Sequence, residues 1–289
     1  MAVHIPVLLN PVLHYLAPGP EPSLLVDCTL GEGGHSEAFL QGFPHLRVTG
    51  IDTDQEMVRR ATDRLNRYAN RFAAVNGWFD EVLAAGTEPV DRLLIDAGVA
   101  RFHFEESERG FSFRGDQVLD MRLSSRQTTT AADIIARSTE AELAELFWRN
   151  GEERLSRRFA EVIAIARRQA PIRRTSELEQ LLWRATPPQL RHGRLHPATR
   201  AFQALRIAVN DELTRLEAGI KSGVARLAPG GRIGVISFHS LEDRIAKRAL
   251  RAHRQLTAVL SKPLAPDAQE LQSNPAARSA KLRVAEVAA

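Results

Sequence analysis

Cysteine is almost missing from this sequence: Cys28 is the single thiol among 289 residues. That excludes an internal disulfide framework and any multi-cysteine zinc site, and it fits a reducing cytosol. Cys28 lies inside an apolar run, so a small buried core residue is expected there, without chemistry. No metal site is expected. Long hydrophobic runs are missing as well. No stretch could span a bilayer, and the opening MAVHIPVLLNPVLHYLAPGP is broken by prolines and lacks a basic region leading into a continuous apolar core. The expectation is a soluble, cytoplasmic protein with no membrane partner. Lysine is scarce, so the 39 basic side chains, which leave a formal net charge of +4, are mostly arginine. Arginine's planar fork suits phosphate contact, although so mild an excess of charge does not by itself require a nucleic acid.

What is present first is a set of β-rich apolar runs, LLVDCTL, RVTGIDTD, FAAVNGWF and VDRLLIDAGV, separated by helical or glycine-containing stretches. This alternation predicts a parallel α/β sheet. After about Glu105 the pattern changes to Arg- and Glu-rich helical segments such as TEAELAELFWRNGEERLSRRFAEVIAIARRQ, and no strand is evident until GGRIGVISF. A sheet that stops and restarts predicts an α/β domain over residues 1–104 and 211–289, interrupted by an all-helical domain over 105–210. Inside the insertion, HPATRAFQALRIAVNDELTRL reads as one helix with Pro197 in its first turn. Phe202, Leu205, Val209, Leu213 and Leu216 form its core stripe, while Thr199, Gln203, Arg206 and Asn210 form a polar row that is either solvated or lines a cleft. From about Arg251 the Pro, Ala and Ser content predicts an extended arm.

The strongest local motif is LLVDCTLGEGGHSEAF, a strand ending in Asp27, a turn containing Gly31, Gly33 and Gly34, and then a helix. Glycines there let the backbone approach a ligand, and the helix N-terminus offers unpaired N–H groups. The arrangement D-x-x-x-G-x-G resembles the first motif of Rossmann-like methyltransferases. A dinucleotide fingerprint would need a third glycine where Ser36 stands, which disfavours a dehydrogenase. Asp52 ends the next strand, where a carboxylate can accept hydrogen bonds from both ribose hydroxyls; Asp54 just beyond it suits a helix cap. Trp78 or Phe79 could stack near an adenine or belong to the core. Asp96 ends the fourth strand and would face the same crevice, either as a reacting group or as a structural carboxylate.

These motifs, together with ERGFSF, LDMR, NGEERLSRRFA, HPATRAFQALRIAVNDEL, LAPGGR, SFHSLEDRIAKR and RSAKLRVAE, closely resemble the RsmH (MraW) family of bacterial 16S rRNA cytosine-N4 methyltransferases, nearly end to end. The resemblance implies a Rossmann-like S-adenosylmethionine-dependent methyltransferase sheet with an inserted all-helical domain. It implies S-adenosyl-L-methionine as cofactor, and a decoding-centre cytidine of 16S rRNA in the small ribosomal subunit as substrate. Carried over by position, cofactor contacts fall on Gly33, Gly34, His35, Asp52, Phe79 and Asp96. Asp96 is the candidate catalytic residue, because a carboxylate that accepts an amine hydrogen helps draw the nitrogen lone pair out of ring conjugation. Arg109, Asp120, Arg122, His196, Arg200, Gln203, Arg206 and Asn210 match motifs that would shape an RNA cleft, as do Ser237, His239 and Arg244. A base modified in this way must be unpaired or flipped out, and binding led by arginine and phosphate must weaken with salt.

The sequence departs from the family pattern in one region. Where the family has D-L-G-V-S-S, this chain has Asp96-Ala97-Gly98-Val99-Ala100-Arg101, losing two hydroxyls, and His103 replaces a glutamine expected to contact the cofactor. RGDQVLDMRLS stands where D-G-P-L-D-M-R-M-D is usual. An active enzyme is expected. The alternatives are a non-catalytic or retargeted RNA- or ribosome-binding paralogue, and a small-molecule methyltransferase, for which the basic insertion would have no use. The sequence leaves a homodimer open.

Overall fold

The computed structural model describes residues 5–288. Each of the four early apolar runs is a strand: β1 (Ser23–Asp27), β2 (Leu46–Asp52), β3 (Phe72–Asn76) and β4 (Val90–Asp96). Helices α1 (Leu9–Tyr15), α2 (Gly34–Gly42), α3 (Gln55–Leu65) and α4 (Phe79–Ala85) precede or connect them. Seven helices follow without a strand: α5 (Arg101–Glu105), α6 (Ala131–Arg137), α7 (Glu140–Gly151), α8 (Ser156–Gln169), α9 (Thr175–Ala185), α10 (Pro188–Arg191) and α11 (Thr199–Asn210). The sheet resumes through α12 (Glu212–Arg226), β5 (Leu227–Ser237), α13 (Ser240–Ala252), β6 (Leu256–Ala258), α14 (Ala268–Ser273) and β7 (Lys281–Val287).

The seven strands lie in the order β3-β2-β1-β4-β5-β7-β6. The first five are parallel and β7 runs antiparallel to both its neighbours. Both faces of the sheet are covered at its centre, so β1, β4 and the second half of β5 are apolar on both sides, whereas β3 and β6 at the edges bury no residue. Leu24, Val26, Leu93, Ile95 and Val235 meet Leu216, Ile220 and Val224 of α12 on one face. Leu25, Leu94 and Ile236 meet Val12 of α1, Leu16 at its end, and Phe39 and Leu40 of α2 on the other. The period-two alternation of the sequence thus divides between two cores rather than between core and water. Strand order reverses between β1 and β4, and it is outside the carboxyl ends at such a switch that open α/β sheets take their ligands.

Contact grouping divides the chain into unit 1, Met1–Gly98 with Leu213–Ala289, and unit 2, Val99–Glu212. The sequence reading places these boundaries at 104/105 and 210/211. In unit 2, α7, α8, α9 and α11 bury Leu143, Phe147, Phe159, Ile163, Leu182 and Leu205. Gly151 lets α7 and α11 approach, since a Cβ there would lie 2.5 Å from the Arg200 carbonyl oxygen.

Two expectations are corrected. The segment from Arg251 is not simply an extended arm: Leu282, Val284 and Ala285 are buried, and β7 pairs with β5 from Arg232↔Glu286 to Ser237↔Lys281. The helix expected from HPATR to LTRL is two helices. Asp211 takes a left-handed φ of 50°, ending α11 before α12 begins, and Pro197 stands in the turn before α11 rather than in its first turn. Phe202, Leu205 and Leu216 are buried as expected, whereas Val209 and Leu213, on either side of the break, are only half-buried.

Candidate functional site

The ends of β1, β2 and β4 bring together the glycine turn, His35, Asp52 and Asp96. Asp27 closes β1 at 1% exposure, and its Oδ2 accepts the Ser36 hydroxyl at 2.7 Å from the first turn of α2. Its Oδ1 accepts the Thr29 N–H at 3.4 Å, and the Thr29 hydroxyl in turn accepts the Asp96 N–H at 2.7 Å. Thr29 thus ties β1 to β4 where both strands end. Burial pushes the Asp27 carboxyl up from its ordinary value of 3.8, and Asp96 adds to the rise, while His35 and the hydrogen bonds oppose it.

The turn between β1 and α2 needs its glycines. Gly31 and Gly33 hold φ of 51° and 79°. Asp52 fastens this turn from β2: its Oδ2 accepts the Gly31 N–H at 2.8 Å, and its Oδ1 accepts the Asp54 N–H, also at 2.8 Å. Asp54 is the N-cap of α3, accepting the Glu56 N–H at 3.0 Å. Gly34 sits so close to Pro6 that a Cβ would come within 2.6 Å of its ring.

His35 is 7% exposed, with Nε2 3.6 Å from Asp96 Oδ2. Neither of its ring nitrogens has a hydrogen-bond partner, and neither does Asp96 Oδ1. Buried polar atoms are nearly always paired, so three unsatisfied ones at one end of the sheet mark a place for a polar ligand. Phe79 opens α4, and its ring packs against Gly219 of α12, where a Cβ would fall 2.0 Å from a ring carbon. Neighbouring Trp78 carries the Arg215 guanidinium 4.0 Å from its ring centre.

At the end of β5, Ser237 is buried, with its hydroxyl 3.5 Å from the Lys281 carbonyl. His239 caps α13 through a reciprocal box with the buried Glu242, its Nδ1 accepting the Glu242 N–H at 3.3 Å. Arg244 is exposed on α13. Two of these three therefore build local structure.

In unit 2, His103 is buried, with its ring 5.5 Å from Phe102 and 5.2 Å from Phe111. Arg109 donates to the Arg122 and Leu123 carbonyls at 3.1 and 3.2 Å. Arg122 forms a two-point pair with Asp120 at 2.7 and 2.8 Å, which raises its pKa further. The polar row of α11 is not a solvated face. Arg200 and Gln203 donate to the Glu152 and Asn150 carbonyls at the end of α7, at 2.9 and 3.3 Å. Arg206 pairs with Glu212 at 2.8 and 2.9 Å. Asn210, 1% exposed, donates to the Met121 carbonyl at 2.8 Å and accepts the Leu123 N–H at 3.0 Å. The row therefore binds α11 to α7 and to the 121–123 segment. His196 lies between the rings of Phe113 and Trp183.

Sequence reasoning missed Thr29 and Ser36 as parts of the site. Their signal was adjacency: a hydroxyl two residues after a buried strand-end aspartate, and another in the first turn of the next helix. Among the described residues no cluster of His, Cys, Asp or Glu could hold a metal ion, and no helix is long and apolar enough to cross a membrane.

The family model described as the MraW methylase family matches residues 1–288. The chain is 45% identical over 284 residues to a ribosomal RNA small subunit methyltransferase H of Picosynechococcus, covering 98% of this chain and 96% of that one. It is 46% identical over 287 residues to the protein of the same name from Synechococcus elongatus, with 98% and 94% covered. For the one from Treponema denticola the figures are 41% over 303 residues, with 98% and 96% covered.

Proposed function

Because the chain belongs to the MraW methylase family, we propose that it transfers a methyl group from S-adenosylmethionine to the exocyclic N4 of a decoding-centre cytidine in the 16S rRNA of the small ribosomal subunit. Its work is then cytoplasmic. The observation that carries this reading is the Asp96 carboxylate, held at the end of β4 with Oδ1 buried and without a hydrogen-bond partner, beside His35, whose Nε2 lies 3.6 Å from Oδ2 and whose ring nitrogens make no hydrogen bond.

The residues at the strand ends fit the cofactor. The left-handed glycine turn admits a ligand against the backbone, the start of α2 presents N–H groups, and three buried polar atoms lack partners. Gly33, Gly34, His35 and Asp52 would hold it. When bound, S-adenosylmethionine supplies a methyl group made electrophilic by its sulfonium.

The remaining work falls to the chain. An exocyclic amine conjugated with the cytosine ring is a poor nucleophile, and alkylating it requires the loss of one N–H proton. Asp96 Oδ1 accepts a hydrogen bond from that amine, favouring the geometry in which the nitrogen lone pair leaves conjugation. The same oxygen is placed to receive the proton. Thr29 fixes the Asp96 backbone through its N–H, and Asp52 fixes the glycine turn. Exposed arginines of unit 2, rather than Arg109, Arg122, Arg200 and Arg206 with their internal partners, supply the phosphate contacts that position an unpaired strand.

The test is transfer of labelled methyl groups to small subunits from a strain lacking this modification, followed by nucleoside mass spectrometry. N4-methylcytidine made by the wild type and lost in Asp96→Ala supports the reading. No methylated nucleoside at all, from folded protein that still binds the particles, replaces it with a non-catalytic RNA-binding role.

A further inference from the structure

Unit 2 carries an aromatic arrangement that the proposed chemistry does not use. His196 lies face to face with Phe113 on one side, centroids 4.7 Å apart at 26°, and with Trp183 on the other, 5.2 Å apart at 19°. Phe202 meets Phe113 edge-on at 5.2 Å, and His192 meets Trp183 edge-on at 5.7 Å. The stack is also tied down by polar contacts: His196 Nδ1 accepts the Ala198 N–H at 3.2 Å, and its Nε2 lies 3.2 Å from Glu179 Oε1. A pocket of about 400 Å³ opens beside it, lined by Glu179, Gln180, Trp183, Arg184 and His196.

These observations have three parts. A rigid aromatic wall offers a stacking surface to any nucleobase, whatever its sequence. The Glu179 carboxylate accepts hydrogen bonds and cannot donate them, so it favours bases that carry an exocyclic amine. Arg184, exposed at the rim, carries the positive charge suited to a phosphate. A wall for the ring, an acceptor for its edge and a cation for its backbone form a site for one nucleotide. Trp183 remains half-buried and lines the open space of this pocket.

The geometry points to a second nucleotide site on unit 2: an unpaired, amine-bearing nucleotide of the RNA substrate docks against the face of Trp183 turned away from His196, with its base edge toward Glu179 and its phosphate toward Arg184. This rests on the RNA substrate proposed above, and it names a contact separate from the reacting base at Asp96. The site serves binding, holding substrate in register while the strand ends of unit 1 carry the chemistry.

The test uses the full chain with Trp183 as its sole tryptophan, Trp78 and Trp148 being replaced by phenylalanine. Short oligo(A), oligo(C) and oligo(U) are titrated at low salt. Quenching of Trp183 emission, with oligo(A) and oligo(C) binding more tightly than oligo(U), is expected. Glu179→Gln should reduce that preference, and Arg184→Ala should weaken all three oligomers alike. In the otherwise wild-type chain, Trp183→Ala should weaken binding about tenfold, and Trp183→Phe, which keeps a stacking face, much less. For methyl transfer to small subunits, Trp183→Ala should raise KM and leave kcat near wild type. Absence of quenching, or equal affinity of wild type and a folded Trp183→Ala, overturns the site. Oligomer binding is read without methyl transfer, so quenching alongside an absence of N4-methylcytidine would sink the proposed reaction and leave this site standing.

Discussion

Asp96 ends β4 with its N–H on the Thr29 hydroxyl and its Oδ1 buried without a hydrogen-bond partner, beside His35, an arrangement made only where β1 and β4 lie side by side. Asp96→Asn keeps the shape and removes the proton acceptor, so methyl transfer should fall by at least two orders of magnitude while the melting temperature stays near wild type. Asp27 gives the opposite kind of expectation. Its folded pKa is raised, so its contribution to stability is fully present below the unfolded value near 3.8 and is lost as pH rises through the folded value. Asp27→Asn can still accept the Ser36 hydroxyl, and it should raise the melting temperature more at about pH 8 than at about pH 4. A larger gain at the lower pH would contradict the burial argument. The two missing hydroxyls after Asp96 also acquire a physical meaning. Ala100 is the N-cap of α5 and makes no side-chain cap bond, while Arg101 pairs with Glu105 at 2.7 Å one turn on. Ala100 leaves this N-cap unfilled, and Ala100→Ser should add roughly 0.5–2 kcal/mol.

At the scale of elements, strands with continuous apolar runs were readable because burial on both faces leaves an unbroken signal. β7 was not, because KLRVAEV follows a stretch rich in Pro, Ala and Ser and interleaves charge with its apolar positions. Its charges are satisfied by its neighbours: Arg283 reaches Asp243 of α13 at 2.8 Å, and Glu286 pairs with Arg232 of β5. Leu282→Ala should cost about 2–5 kcal/mol, measurable by urea denaturation, which an arm lying on the surface would not. The break at Asp211 was hidden for a different reason, since apolar spacing continues through it and only the backbone changes hand. Gly219 makes the clearest element-level test. Within a helix, Gly→Ala ordinarily stabilises by about 1 kcal/mol. In α12 the added methyl would meet the Phe79 ring, so Gly219→Ala should instead destabilise by about 1–3 kcal/mol. Shortening the ring in Gly219→Ala/Phe79→Leu should recover part of the loss.

For the whole molecule, the discontinuous sheet could be read from a pattern that stopped and resumed, because alternation and helical periodicity differ over tens of residues. The roles of the polar residues on α11 could not, since the same arginines and amides serve an RNA or another helix, and only the folded partner decides. A formal charge of +4 built mostly from arginine remains a property of the surface as a whole. Affinity for small subunits should fall steeply between about 50 and 200 mM salt, checked by filter binding; a flat response would remove phosphate-led recognition.

Strand order and chain order also disagree in a way that bears on synthesis. Unit 2 is one continuous stretch and can fold as soon as residue 212 has left the ribosome. The sheet of unit 1 cannot. β4 waits beside an empty edge until β5 is made, and β5 then waits for β7, some fifty residues later in the chain. Throughout that interval an apolar parallel sheet stands open at its edge, the condition under which strands pair with the wrong neighbour. A nascent chain of this design should bind chaperones while its final third is made, and a truncated one ending before β7 should be degraded faster than the finished protein.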